Sequence, residues 1–298
     1  MENNTRVSYD EAVEEFRFRE YPMLQGRLFI IGAGWRFEVT LFLDTTYLDH
    51  AGTTLYSKSL IDRFAADMMS NLYGNPHSAS NSSQLTTRRI EDIRLRLLRL
   101  FKADPAEYDV VFVANATAGI KLVMDAFRDH EDGYWYGYHR DSHTSLIGVR
   151  ETAAQHHCFA SDNEVNLWIE GGCLQNAKHG LFAYPAQSNM NGRRLPLSWT
   201  ERIRSKKQGF VYTLLDAAAL VSTSRLDLSD ASYAPDFTVL SLYKIFGFPD
   251  LGALIVRKAA APIFDKRRYF GGGTVEMVVC LKEQFVTPER SIYRLYTN

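Results

Sequence analysis

From about Tyr47 to Lys258 short apolar runs alternate with stretches in which apolar residues recur every three or four positions. The runs read as buried strands and the wider spacing as amphipathic helices. Strands are predicted at Val110–Val113, Tyr134–Tyr138, Leu181–Tyr184, Phe210–Leu215, Phe237–Leu240 and Ala253–Val256. Leu60, Ile61, Phe64, Ala65, Met68 and Met69 predict one helix, and Ile90, Ile93, Leu97 and Phe101 predict a second, in a basic stretch. A third, Ala116 to Phe127, opens with small residues. Strands interleaved with helices imply βα crossovers: an α/β fold with a mainly parallel sheet of about seven strands and helices on both faces. Ligands of such sheets sit at the carboxyl ends of strands, so chemistry is expected just after each strand.

Two segments stand outside this alternation. Arg27 to Leu43 is apolar without a clean period, and its Gly32-Ala33-Gly34 is too short for a dinucleotide fingerprint; it reads as an inserted segment. After Gly271-Gly272-Gly273-Thr274 there is one strand-like stretch, Val275–Leu281, and then a polar run, Glu283 to Asn298, with no further pattern.

Composition narrows the partners. The chain has 298 residues, 46% of them hydrophobic, enough for one large domain or somewhat more. The 34 basic and 35 acidic side chains leave a formal charge of −1, which asks for neither nucleic acid nor an anionic membrane. Three cysteines, Cys158, Cys173 and Cys280, without CxxC spacing argue against a disulfide framework or a zinc site and for a reducing compartment. The polar, acidic N-terminus is unlike a signal peptide, and no apolar run approaches the roughly 18 residues of a membrane span. A cytoplasmic protein is expected.

The strand ends carry the candidate chemistry. After Val113 comes Ala114-Asn115-Ala116-Thr117-Ala118-Gly119, where backbone N–H groups at a helix start could cradle an anion; an ordinary N-cap fits the same residues. After Tyr138, His143 would open the next helix, either stacking on a flat ring or serving structure alone. His156-His157 read as neighbours on a helix, which cannot face one ligand together, so no metal site is expected. Asp216 follows a mostly apolar strand, where a helix cap or a protonated pyridine nitrogen would satisfy it. Lys244 follows Ser241 among apolar neighbours; it could snorkel, or supply the free amine of a Schiff base. In this order a phosphate cradle, a ring-stacking histidine, an acid and a lysine meet the needs of pyridoxal phosphate (PLP).

The sequence resembles the class V aminotransferase superfamily, and within it the NifS-like domain of molybdenum cofactor sulfurases. The resemblance rests on YLDHAGTTLYS (Tyr47–Ser57), YGNPHS (Tyr73–Ser78), DSHTSLIGVRE (Asp141–Glu151), the run Gln187–Leu197, LLDAAALVSTSRLDLS (Leu214–Ser229), SLYKIFGFPDLGALIVRK (Ser241–Lys258) and YFGGGTVEMV (Tyr269–Val278), with a shorter match at Tyr9 to Gly26. It implies PLP-dependent transferase fold type I: an N-terminal segment to residue 46 interrupted at 27–43, a PLP-binding large domain over 47–278, a divergent tail at 279–298, and a small domain largely missing. It implies that Lys244 bonds PLP and acts as base, that Asp216 holds the pyridine nitrogen protonated and that His143 stacks on the ring. Thr117, Ser241 and the backbone around Ala116–Ala118 would bind phosphate, Asn189 would lie near the ring hydroxyl, and Thr274 would reach the partner's phosphate in a homodimer. L-cysteine and molybdenum cofactor are the implied substrates. Two positions depart from cysteine desulfurases: Tyr243 stands where they carry histidine, and Ala219 where they carry glutamine. The resemblance places the persulfide cysteine and the arginine for the substrate carboxylate downstream of Asn298. A non-catalytic PLP-binding fragment and another class V enzyme, such as a cysteine desulfurase, are the alternatives.

Overall fold

A computed structural model of the chain describes residues 9–24, 28–32, 35–39, 45–171, 179–206, 210–269, 277–279 and 284–286. Strands β1 (Leu28–Gly32) and β2 (Trp35–Val39) pair antiparallel in a sheet of their own. The main sheet comprises β3 (Tyr108–Val113), β4 (Trp135–His139), β5 (Gln155–Phe159), β6 (His179–Pro185), β7 (Phe210–Asp216), β8 (Phe237–Ser241) and β9 (Gly252–Arg257). Its spatial order is β3-β9-β8-β7-β6-β4-β5. Neighbours from β8 to β5 are parallel; β9 runs against both β8 and β3. A third, two-stranded sheet pairs β10 (Met277–Val279) with β11 (Gln284–Val286).

The helices are α1 (Tyr9–Glu20), α2 (Lys58–Ser70), α3 (Asn81–Leu100), α4 (Ala116–Arg128), α5 (Thr144–Ile147), α6 (Asp162–Glu170), α7 (Trp199–Ser205) and α8 (Leu242–Phe246). Side-chain oxygens start several of them. Ser57 Oγ accepts from Leu60 N–H at α2, Ser80 Oγ from Ser83 N–H at α3 and Asn115 Oδ1 from Ala118 N–H at α4, each meeting a donor the first turn leaves free.

Successive strand residues point to opposite faces and build two cores. On one face Phe182, Tyr184, Leu215, Leu240, Ala253 and Ile255 pack with Leu97 and Leu98 of α3, Val165 and Ile169 of α6, and Trp199 of α7. On the other, Leu181, Ala183, Leu214, Val239, Leu254 and Val256 pack with Ile120, Val123 and Phe127 of α4 and Leu146 of α5. The expected mainly parallel seven-stranded sheet, covered on both faces, is what forms.

Three differences from the sequence reading have physical reasons. His156 and His157 lie in strand β5, not on a helix. This edge strand exposes four of its five residues, so no hydrophobic period marks it. The tail read as patternless contains β11, too short for alternation to show. Helix α2 forms over the predicted spacing but buries none of its residues: Phe64, Met68 and Met69 are all exposed.

Candidate functional site

The carboxyl ends of β3, β4, β6, β7 and β8 open on one cavity of about 560 Å³. Its lining includes Asn115, Ala116 and Thr117 after β3, His143 and Ser145 after β4, and Gln187 and Asn189 after β6. Asp216 at the end of β7 with Ala219 beyond it, and Ser241 at the end of β8 with Tyr243 and Lys244 beyond it, complete the ring. Asp216 and Ser241 are buried at its floor, Lys244 is half-buried, and Thr117, His143 and Asn189 are exposed at its mouth.

The cradle is set by close backbone packing. Gly252 pairs with Val113 on one side and Ser241 on the other. A Cβ on Gly252 would stand 2.5 Å from Asn115 C and 2.8 Å from Ala116 N, so only glycine lets the start of α4 sit directly on β9. Asn115 Oδ1 takes the Ala118 N–H, while Ala116 and Thr117, in the first turn of α4 whose N–H groups have no partner within the helix, line the cavity. Ala118, expected in the cradle, is thereby committed to the cap and is not among the lining residues.

His143 is the N-cap of α5, and its Nδ1 accepts from Ser145 N–H at 3.2 Å. A backbone N–H can only donate, so a neutral His143 carries its proton on Nε2. Asp216 Oδ1 accepts from Ala218 N–H at 3.0 Å. Burial raises the Asp216 carboxyl above its ordinary range, opposed by that hydrogen bond and by the nearby charges of His143 and Lys244. A buried acid beside a lysine and a histidine is suited to a cationic ring nitrogen.

Lys244 lies in α8, capped by the buried Ser241 at its start and by Gly247, with φ +76°, at its end. The segment 45–57 docks here: Thr54 donates to Lys244 O at 2.8 Å and to Tyr243 O at 3.3 Å, and Thr53 lines the cavity. A Cβ on Gly247 would stand 2.5 Å from Tyr56 N, so this glycine admits the segment. Thr53, Ser145, Gln187 and Asp250 are lining residues that sequence reasoning had not placed in the site. The DHAGTT run held the signal for Thr53, but nothing in its pattern told that it would fold back over a lysine 190 positions on. Thr274 lies outside the described residues. Among the described residues no group of three or more His, Cys, Asp or Glu side chains could hold a metal.

The polar cradle, the buried acid and the lysine fit PLP in donor type and in order around the cavity. Comparison with known proteins points the same way. The family model described as aminotransferase class-V matches residues 46–294. The chain is 63% identical over 289 residues to the molybdenum cofactor sulfurase of Botryotinia fuckeliana, covering 94% of this chain and 33% of that protein. It is 62% identical over 285 residues to that of Chaetomium globosum, covering 94% and 34%. The chain thus spans about a third of the length of the curated relatives it matches. Among solved structures it is similar to a cysteine desulfurase of Thermococcus onnurineus (TM-score 0.64, 19% identity, 81% of this chain and 60% of that one). It is also similar to the cysteine desulfurase CsdA of Escherichia coli (TM-score 0.61, 19% identity, 82% and 61%). These last likenesses establish the fold, PLP-dependent transferase fold type I. With the family model spanning the whole main sheet and every strand end that faces the cavity, the chain belongs to the class V aminotransferase family.

Proposed function

We propose that this chain is the PLP-binding part of an enzyme that takes sulfur from L-cysteine and delivers it to molybdenum cofactor. The observation that carries the reading is the buried, charge-disfavoured Asp216 set in one cavity with Lys244 and His143.

Bound PLP would supply an electron-withdrawing ring that weakens bonds at the Cα and Cβ of an amino acid. Asp216 would keep the pyridine nitrogen protonated, offsetting its own burial. The N–H groups of Ala116 and Thr117, with the hydroxyls of Thr117 and Ser241, would hold the phosphate at the α4 N-terminus. The exposed ring of His143 would stack on the cofactor, and Asn189 would lie beside the ring hydroxyl. The Lys244 amine would bond the cofactor and then carry a proton to and from the substrate's Cα. In the overall reaction the Cβ–S bond of cysteine breaks, sulfur bonds to an acceptor thiolate as a persulfide, and the carbon skeleton gains a proton and leaves as alanine.

The acceptor thiol belongs in a part of the longer relatives that this chain does not span. Cys158 is a poor acceptor. It lies on the edge strand β5, four strands from β8, roughly 19 Å at normal strand spacing. We assign residues 47–278 to the PLP-binding large domain and 1–46 to a small domain completed by sequence outside this chain, which would cover the apolar face of α2. A homodimer in the cytoplasm is part of the same reading; no helix among the described residues is long and apolar enough to cross a membrane. A fragment that binds PLP without transferring sulfur is the second reading, favoured by that exposed α2 face.

Borohydride reduction of the PLP-treated chain, followed by peptide mass spectrometry, tests the site. Pyridoxyl is expected on Lys244 and is lost in Lys244→Ala. A label on another lysine, or none on a folded protein, overturns the assignment.

A further inference from the structure

Arg193 lies outside the cavity lining, yet it ties together two loops that form the cavity's rim. Its Nε donates to Asp141 Oδ2 at 3.0 Å, and its two terminal nitrogens reach the two oxygens of Asp162, each at 2.9 Å. Asp141 is two residues before His143 in the loop after β4. Asp162 starts α6. Arg193 itself closes the turn after β6: Ser188 N–H donates to Arg193 O at 2.8 Å, and Gly192 N–H to Ser188 O at 3.0 Å. That turn carries Asn189.

A buried histidine backs the cluster. His139 Nδ1 accepts from Asp141 N–H at 3.1 Å, so its Nε2 carries the proton and faces Asp162 Oδ1 at 3.3 Å. Burial pushes this imidazole down from its ordinary range, which keeps it neutral beside the guanidinium. Arg193, in turn, holds the Asp162 carboxyl below its usual range. One planar fork thus satisfies two carboxylates on different elements, a geometry that a lysine ammonium cannot reproduce.

We propose that Arg193 is the positioning residue of this site: it fixes the loop bearing His143 and the turn bearing Asn189 in one relative placement. The inference rests on the PLP reading only where the cofactor serves as reporter.

Amide hydrogen exchange on the 298-residue chain without cofactor tests it first. Arg193→Ala is expected to speed exchange at least tenfold at Ser142, Ser145, Met190 and Gly192, with Ala183 and Leu215 in the strands unchanged. Asp141→Ala, which cuts only the link to the β4 loop, is expected to speed Ser142 and Ser145 alone. Arg193→Lys is expected to restore at most one of the two loops. Wild-type rates in both loops of Arg193→Ala, or an equal rise throughout the strands, overturns the inference; the latter marks general destabilisation. PLP then serves as the second readout. Arg193→Ala is expected to take up PLP on Lys244 while losing most of the circular dichroism induced in the bound cofactor, with methylguanidinium restoring it. An unchanged signal in a labelled variant overturns the inference. Failure of the wild type to label Lys244 overturns the PLP reading instead, and leaves the exchange result to decide on Arg193.

Discussion

Gly252→Ala probes the cradle at its tightest point. The new methyl would stand 2.5 Å from Asn115 C and 2.8 Å from Ala116 N, about 1 Å short of ordinary contact. Both neighbours are backbone, and β9 is hydrogen-bonded on both sides, so neither can yield through a rotamer change. Overpacking of this kind costs about 1–3 kcal/mol, and at about 2–4 °C per kcal/mol the melting temperature is expected to fall by roughly 2–12 °C. The strain is relieved most readily by tilting the start of α4 away, which displaces the Ala116 and Thr117 N–H groups. Losing one charge-assisted hydrogen bond to phosphate, about 1.5–3 kcal/mol, would weaken PLP roughly 10- to 100-fold. Pyridoxal, which lacks the phosphate, isolates the effect: titrations monitored by cofactor absorbance give the ratio of the two affinities. That ratio is expected to fall in Gly252→Ala while pyridoxal itself binds as in the wild type. A variant with wild-type preference for PLP and an unchanged melting temperature would refute both the clash and the cradle.

The remaining predictions concern the acid, the far end of the sheet and the sulfur. The folded protein raises the Asp216 carboxyl, so across the range from its ordinary value up to its raised one the folded state holds more protons than the unfolded. Stability of the cofactor-free protein is therefore expected to fall as pH rises through that range. Urea titrations should show the fall in the wild type and its absence in Asp216→Asn, which should also bind PLP more weakly; matching pH profiles would refute this. Asp236 is buried at the amino end of β8, where it accepts from Arg257 at 2.6 Å, Arg204 at 3.2 Å and Thr213 N–H at 2.9 Å. Asp236→Ala removes the one carboxylate that both guanidiniums share, leaving Arg204 on backbone carbonyls alone, and is expected to cost about 3–5 kcal/mol in denaturant unfolding, without changing PLP affinity under native conditions. A loss below about 1 kcal/mol would show that the cluster does not behave as a buried ion network. Incubated with L-cysteine and molybdenum cofactor, the chain alone is expected to sulfurate none of it, whereas a chain extended to the length of its relatives does so; equal rates would return Cys158, Cys173 or Cys280 to consideration.

The sheet was legible because its strands are buried on both faces. Leu181–Tyr184 and Ala253–Val256 must be apolar throughout, and a continuous apolar run is visible in sequence. β5 was not legible, since an edge strand exposing Gln155, His156, His157 and Cys158 has little to bury. Asp216 and Lys244 could be placed because each follows a strand, and strand ends converge at one edge of a parallel sheet. Thr53 and Thr54 could not, because their place depends on a long-range hydrogen bond to a backbone carbonyl. Arg193 shows the same limit: its two partners, Asp141 in the loop after β4 and Asp162 at the start of α6, lie far from it in sequence and carry no pattern that marks them until the fold assembles them.

The position of β9 has a consequence for how the chain matures. Among the described residues β3 pairs with β9 alone in the main sheet, and Val113 meets Gly252 roughly 140 positions further on. Contacts so distant in sequence slow folding, because loop closure precedes any gain from pairing. As the ribosome releases the chain, β3 leaves with both edges open and stays so while β4 to β8 can already assemble. An apolar strand waiting unpaired is a site for association with other chains, so folding yield is expected to depend on chaperone protection during this interval. The wall of the pocket at the start of α4 is then expected to form last, completed when β9 slots between β8 and β3.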